Sequence, residues 1–242
     1  MLLVPSLDLK AGRSRLVFWP GAASGTGNPT DRPEAIARSF VELGARMLHL
    51  VDLDGAVKGA PANTEAFQRI SRAVAVPLQV AGGIDGPEQI ELAFAAGATR
   101  VVVPLWVVAE SVDTLRACLR VAGDWLAVGM DARPERLREY PWHGPPPTFE
   151  GLLQMLAGEG VRRIVISHWS ADDLPRIGEM TATSGAEIQL AGGATDIEMV
   201  RAAHDSGAHS LILGEALFTG AVDYTNATHD LATRGAQPVA NG

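Results

Sequence analysis

Cysteine is almost missing from this chain. Cys118 is the only one among 242 residues, so no intramolecular disulfide can form. It lies in an amphipathic stretch and reads as a buried structural thiol, with a nucleophile as the alternative. Positive charge is also short. Twenty Lys and Arg stand against 28 Asp and Glu, a net charge of -8. That argues against general binding of nucleic acid or of an anionic membrane surface. It leaves room for a phosphorylated metabolite, because backbone N–H groups and helix ends hold phosphate inside acidic proteins. No apolar run approaches the roughly 18 residues of a membrane span. The opening MLLVPSLDLK places its charges after its apolar residues, unlike a signal peptide. The expectation is a cytoplasmic protein. No His, Cys, Asp or Glu cluster has metal-ligand spacing, so no metal is expected.

What is present is alternation. Eight short apolar runs recur: residues 2–9, 46–53, 76–81, 100–105, 125–132, 162–169, 187–192 and 209–214. Amphipathic stretches such as RPEAIARSFVELGA, GPEQIELAFAAGA and TDIEMVRAAHDSGA separate several of them and end near Gly-Ala, where glycine closes a helix. Near-continuous apolar strands alternating with helices predict a parallel sheet. Eight such units over this length predict a (β/α)8 TIM barrel, a single domain over residues 1–224. A doubly wound sheet is the competitor, and the absence of GxGxxG after the first run weakens its dinucleotide-binding version. Residues 225–242 read as a polar tail that adds at most a short helix and then frays.

The barrel reads as two similar halves. VPLQVAGGIDGPEQIELAFAAGATRVVVP aligns with GAEIQLAGGATDIEMVRAAHDSGAHSLILG, which sets Gly82 and Gly83 on Gly192 and Gly193. A glycine pair at a strand end permits a tight turn and close approach to a ligand, and the next helix offers unpaired N–H groups. Gly192 and Gly193, with Gly214 after the eighth run, form the stronger candidate phosphate site, since barrels of this kind often bind phosphate beside strands 7 and 8. The tight turn alone is the competing reading. Gly82 and Gly83 are the weaker candidate. The position equivalent to Gly214 is Pro104, which has no N–H to donate, and Leu105 and Trp106 follow.

Chemistry in such barrels sits at the C-terminal strand ends. Asp8 closes the first run and Asp131 the fifth, on opposite sides of the mouth. Two carboxylates in one pocket can divide base and acid work. Each could instead cap a helix or pair with an arginine. Asp52 and Asp54 close the second run, to orient a loop or bind ribose hydroxyls. His49 reads as a satisfied core histidine. Ser167 is a candidate hydrogen-bond donor to substrate or to a catalytic aspartate. His168 is either a titrating group or a packed surface residue. Trp142, in the mouth loop 138–150, either stacks on a planar ring or packs on its own neighbours.

Taken together, PSLDLKAGR, HLVDLDGAVKG, VAGGIDGPEQIE, VGMDAR, LAGGATDIE and LILGEALFTG resemble the isomerase family of histidine biosynthesis over residues 1–222. That resemblance implies a cofactor-independent aldose–ketose isomerase that opens the ribose ring of a phosphoribosylformimino aminoimidazole carboxamide ribotide. It implies Asp8 as general base, Asp131 as general acid, and phosphate anchors at both substrate ends. It implies no cofactor, and a closed barrel of this kind can work as a monomer. The chain departs from the family at Pro104 and Leu105, where Gly-Thr or Gly-Ser is usual. His168 replaces an aspartate. The loop LVFWPGAASGTGN lacks the usual Arg-Leu-x-Gln-Gly pattern, and Glu215 follows Gly214. The alternatives are a divergent paralogue using another phosphorylated metabolite, or a non-catalytic barrel.

Overall fold

A computed structural model describes residues 1–17 and 30–235. Eight parallel strands form a closed barrel. In chain order they are β1 (Leu2–Lys10), β2 (Leu48–Asp52), β3 (Leu78–Ala81), β4 (Arg100–Pro104), β5 (Leu126–Asp131), β6 (Arg163–Ser167), β7 (Glu187–Ala191) and β8 (Ser210–Leu213). Each pairs with the next, and β8 closes onto β1 through Leu2–Ser210 to Pro5–Leu213. The fold is the (β/α)8 barrel that the alternation predicted.

Side-chain parity decides what faces the barrel interior. On β1, Leu3, Leu7 and Leu9 join the large apolar layer beneath the helices, whereas Val4 belongs to a small cluster with Met47, Val102, Ala127, Val165 and Ile212. The second set is the interior. Asp8 on β1, Pro104 on β4, Asp131 on β5 and Ser167 on β6 share its parity and stand at the C-terminal ends of their strands. Strands β1 and β5 are opposite, so their two carboxylates stand on opposite sides of one mouth.

Deeper in the barrel, buried polar groups pair with one another. His49 Nδ1 lies 3.1 Å from Gln79 Nε2, and Arg100 donates to Gln79 Oε1 at 3.3 Å. Burial pushes the His49 imidazole down to about 4, which keeps it neutral, as expected of a core histidine. Cys118 is fully buried and its thiol is pushed up to about 11 by that burial, which suits a packing role.

Three local features correct the expected layout. Arg13–Ser14 forms a two-residue antiparallel strand folded back on the end of β1. The second and fourth runs each stop early, because Leu53–Lys58 and Leu105–Glu110 are short helices. Leu105 is therefore a buried helical residue rather than part of a strand. The segment after Tyr224 begins as a packed helix, Tyr224–Gly235, with Ala227 and Leu231 buried and the Tyr224 hydroxyl donating to the Leu3 carbonyl. Residues 236–242 of the expected tail, and most of the unusual loop after β1, lie outside the described residues.

Candidate active site

Asp8 and Asp131 have unlike surroundings. Asp8 is partly exposed, with Arg15 Nε 3.6 Å from Oδ2. The Arg13–Ser14 strand makes that contact local: the Arg15 N–H donates to the Asp8 carbonyl at 2.7 Å and turns the chain back over the strand end. Burial raises the Asp8 carboxyl above its ordinary value, and Arg15 opposes the rise without cancelling it.

Asp131 is nearly buried and heavily bonded. Arg133 grips it with two side-chain hydrogen bonds, Nε to Oδ1 at 2.8 Å and a guanidinium NH2 to Oδ2 at 2.6 Å, and adds its backbone N–H at 3.0 Å. His168 Nδ1 lies 3.0 Å from Oδ2 and 3.2 Å from Ser167 Oγ. Burial works against ionisation of Asp131, but the Arg133 bonds and the nearby His168 outweigh it and hold the carboxyl below its usual value. His168 sits at φ +56, in the left-handed region that few non-glycine residues adopt. Ser167 Oγ donates to the Met130 carbonyl at 3.2 Å. The structure thus gathers Asp131, Ser167 and His168 into one hydrogen-bonded group. Arg133, which sequence reading missed, holds its centre. The signal was the two-residue spacing to Asp131, but its rotamer is a tertiary fact.

Asp52 does not belong to this group. It shares the outward parity of Leu48 and Leu50 and is fully buried. Its oxygens accept from the backbone N–H groups of Gly55, Ala62 and Asn63 and from Asn63 Nδ2. Of the two expected roles, loop orientation is the one these bonds fit, together with a helix cap. Asp54 accepts from the Ala11 N–H at 2.6 Å, which ties the end of β1 to β2. Trp142 donates its indole N–H to the Leu137 carbonyl at 2.7 Å and packs on its own loop. This is the second of the two readings for it.

The two glycine pairs differ in what surrounds them. All four residues have positive φ, from 68 to 96. A Cβ on Gly82 would stand 2.2 Å from the Asp52 carbonyl oxygen, and one on Gly83 would stand 2.7 Å from backbone atoms of Ala60 and Gly55. Those glycines are required by packing against the β2 loop. A Cβ on Gly192 would meet nothing within 4 Å, and one on Gly193 would collide with the Trp169 indole. Gly192, Gly193, Thr195, Gly214 and Thr219 line an open hollow of about 380 Å³, with Glu215 on its rim. A second cleft of about 320 Å³ lies between β3, β4 and β5, lined by Gly82, Asp85, Pro104, Trp106, Asp131 and Tyr140 among others. A larger hollow of about 720 Å³ lies between helices Leu174–Ser184 and Ile197–Asp205, and neither Asp8 nor Asp131 lines it. Among the described residues, no three His, Cys, Asp or Glu side chains are grouped to hold a metal ion, and no helix is long and apolar enough to cross a membrane.

Residues 2–223 match the model of a family described as "Histidine biosynthesis protein". Similar curated proteins carry the name 1-(5-phosphoribosyl)-5-((5-phosphoribosylamino)methylideneamino) imidazole-4-carboxamide isomerase. That of Chloroflexus aurantiacus is 33% identical, over 94% of this chain and 96% of the relative. That of Desulforudis audaxviator is 33% identical, over 94% and 90%, and that of Pelotomaculum thermopropionicum 34%, over 94% and 91%. With a barrel of the expected topology and this match over nearly its whole length, the chain belongs to the histidine biosynthesis protein family and falls among its isomerases.

Proposed function

We propose that this protein is an aldose–ketose isomerase that carries out an Amadori rearrangement on an N-substituted 5-phosphoribosylamine, the type of compound in its relatives' names. The observation that carries the proposal is the pair of carboxylates on opposite strands, both of inward parity and with ionisation behaviour pushed apart. The substrate phosphate sits at Gly192, Gly193 and Gly214, where the glycines permit close backbone approach. That anchor uses remote binding energy to hold the sugar between the aspartates.

The acid step protonates the ring oxygen and opens the aminoaldose to a Schiff base. The base step removes the C2 proton, and the resulting enol becomes the aminoketose. Asp8 is the base and Asp131 the acid, with Ser167 and His168 orienting Asp131. Without ligand, Arg133 keeps Asp131 ionised, the wrong state for an acid. Substrate entry therefore has to draw Arg133 away before Asp131 can carry a proton. Asp8 carries the opposite mismatch, since burial resists the ionised form a base needs.

The direct test is conversion of the two-phosphate aminoaldose of the relatives' names by purified protein, followed chromatographically. We expect formation of the aminoketose and its loss in Asp8→Asn. Absence of conversion by a folded wild-type protein, for this compound and for analogues with other N-substituents, refutes the isomerase reading.

A further inference from the structure

We propose that Asp54 and Asn63 are positioning residues for Asp8. They clamp the Ala11–Gly12 turn, and the turn sets Arg15 beside the Asp8 carboxylate. This rests on the isomerase reading for the role of Asp8 as base, and on the structure for the clamp.

The turn is one that the chain would not hold unaided. Lys10 pairs with Arg13 and Leu9 with Ser14, so Ala11 and Gly12 form a two-residue hairpin loop. The favoured loop of this kind has positive φ at both central residues. Gly12, at φ +76, adopts it freely, whereas Ala11, at φ +49, carries a Cβ that resists it. Two ladder pairs are too few to keep a hairpin folded by themselves. The loop after β2 supplies what is missing. Asp54 Oδ2 accepts from the Ala11 N–H at 2.6 Å, and Asn63 Oδ1 accepts from the Gly12 N–H at 2.7 Å. Arg69 donates to the Gly12 carbonyl at 2.7 Å. On the far side of the hairpin, the Ser14 N–H donates to the Asp31 carbonyl at 2.8 Å.

The clamp is itself fixed. Asn63 is buried, and its Nδ2 donates to Asp52 Oδ1 at 2.6 Å and to Asp54 Oδ2 at 3.0 Å, which turns Oδ1 toward Gly12. Asp52 is held in turn by the N–H groups of Gly55, Ala62 and Asn63. The bonds from the Ala11 N–H and Asn63 keep the Asp54 carboxyl below its ordinary value. Asp8 lies three residues before Ala11, and Arg15 three after Gly12. Both contacts of Arg15 with Asp8, the backbone bond and the ion pair, therefore depend on where the turn places it. Other groups around Asp8 do not take its place. Val51 is its partner on β2, His49 lies deeper and neutral, Glu215 follows β8, and Asp131 stands across the mouth. Lys10 and Lys58 act on Asp54. Among the described residues, Arg15 is the one cation within 4 Å of the Asp8 carboxylate.

The test is a carbon-13 NMR titration of the Asp8 carboxyl in the intact protein, with the resonance assigned by its absence in Asp8→Asn. Asp54→Ala frees the turn and should raise the Asp8 pKa by at least half of the rise that Arg15→Ala gives. The sign is diagnostic, because loss of the Asp54 charge alone would lower it. Ala11→Pro breaks the turn without changing any charge, since proline has no N–H and a fixed negative φ, and should raise it as well. Asp54→Asn keeps an oxygen for the Ala11 N–H and should give no rise. In an Arg15→Ala background, Asp54→Ala should add nothing. An unchanged or lowered pKa in either turn-breaking variant that folds overturns the proposal. So does a rise in Asp54→Asn equal to that in Asp54→Ala, or an undiminished rise in the Arg15→Ala background. The kcat/KM profile is read separately. If the NMR pKa rises in Asp54→Ala and the acid limb of activity does not follow, the assignment of Asp8 as base fails and the clamp stands.

Discussion

The two ends of the barrel mouth descend from the same pattern and have come to differ. QVAGGIDG and QLAGGATD each follow a short strand and precede a helix, and both glycine pairs adopt left-handed backbone. At β3 the pair is pressed against the backbone of the β2 loop, where the Asp52 carboxylate gathers four N–H donors. At β7 Gly192 borders open space, and Gly193 is crowded by the Trp169 indole and its backbone carbonyl. The same dipeptide therefore is fully packed in one half and leaves Gly192 open in the other, where the proposed phosphate site lies. Equal sequence at a repeat does not carry equal packing.

The comparison can be broken most forcefully at the carboxylates. Asp8→Asn should lower kcat by about 10²- to 10⁴-fold, the usual range for a lost general base. Because the ionised Asp8 is disfavoured by burial, the same change should leave thermal stability at neutral pH unchanged or slightly higher. Asp131→Asn should also abolish turnover, but at a cost of about 1–2 kcal/mol in stability, from the weakened Arg133 bonds. Denaturant titration alongside kinetics separates the two cases.

The glycines come next. Gly82→Ala should destabilise by about 2–4 kcal/mol, since its Cβ meets a carbonyl oxygen that cannot retreat. Gly192→Ala should cost only about 1 kcal/mol, for its positive φ, while weakening phosphate binding. Equal losses at the two sites would erase the distinction drawn between them.

The pH dependence is the finest probe. A base must be ionised, so activity should fall as pH drops through the Asp8 pKa, and that limb should lie above the ordinary carboxylate value of 3.8. Arg15 lowers this pKa, so Arg15→Ala should move the limb to higher pH. Arg133 lowers the pKa of Asp131, so Arg133→Ala should extend the alkaline limb, on which the acid loses its proton. The kcat/KM profiles of the two variants test both signs.

Most of the barrel was legible because its strands are covered on both faces and so read as continuous apolar runs. Their alternation also placed Asp8 and Asp131 correctly at opposite strand ends. The same parity marked Asp52 as outward, in line with Leu48 and Leu50, and loop orientation was one of the two roles read for it. The last helix was expected only as a short one, because its composition is polar. Tyr224, Ala227 and Leu231 recur at helical spacing and bury one narrow stripe, and the other faces are solvated. The grip of Arg133 and the convergence of Asp85, Trp106 and Tyr140 were beyond sequence reading. They depend on rotamers and on loops from separate strands meeting in space.

The most direct measurement is a crystal structure of the protein soaked in inorganic phosphate at graded concentrations. The account predicts an anion bound between Gly192–Gly193 and Gly214. No anion at the β7–β8 end would contradict it.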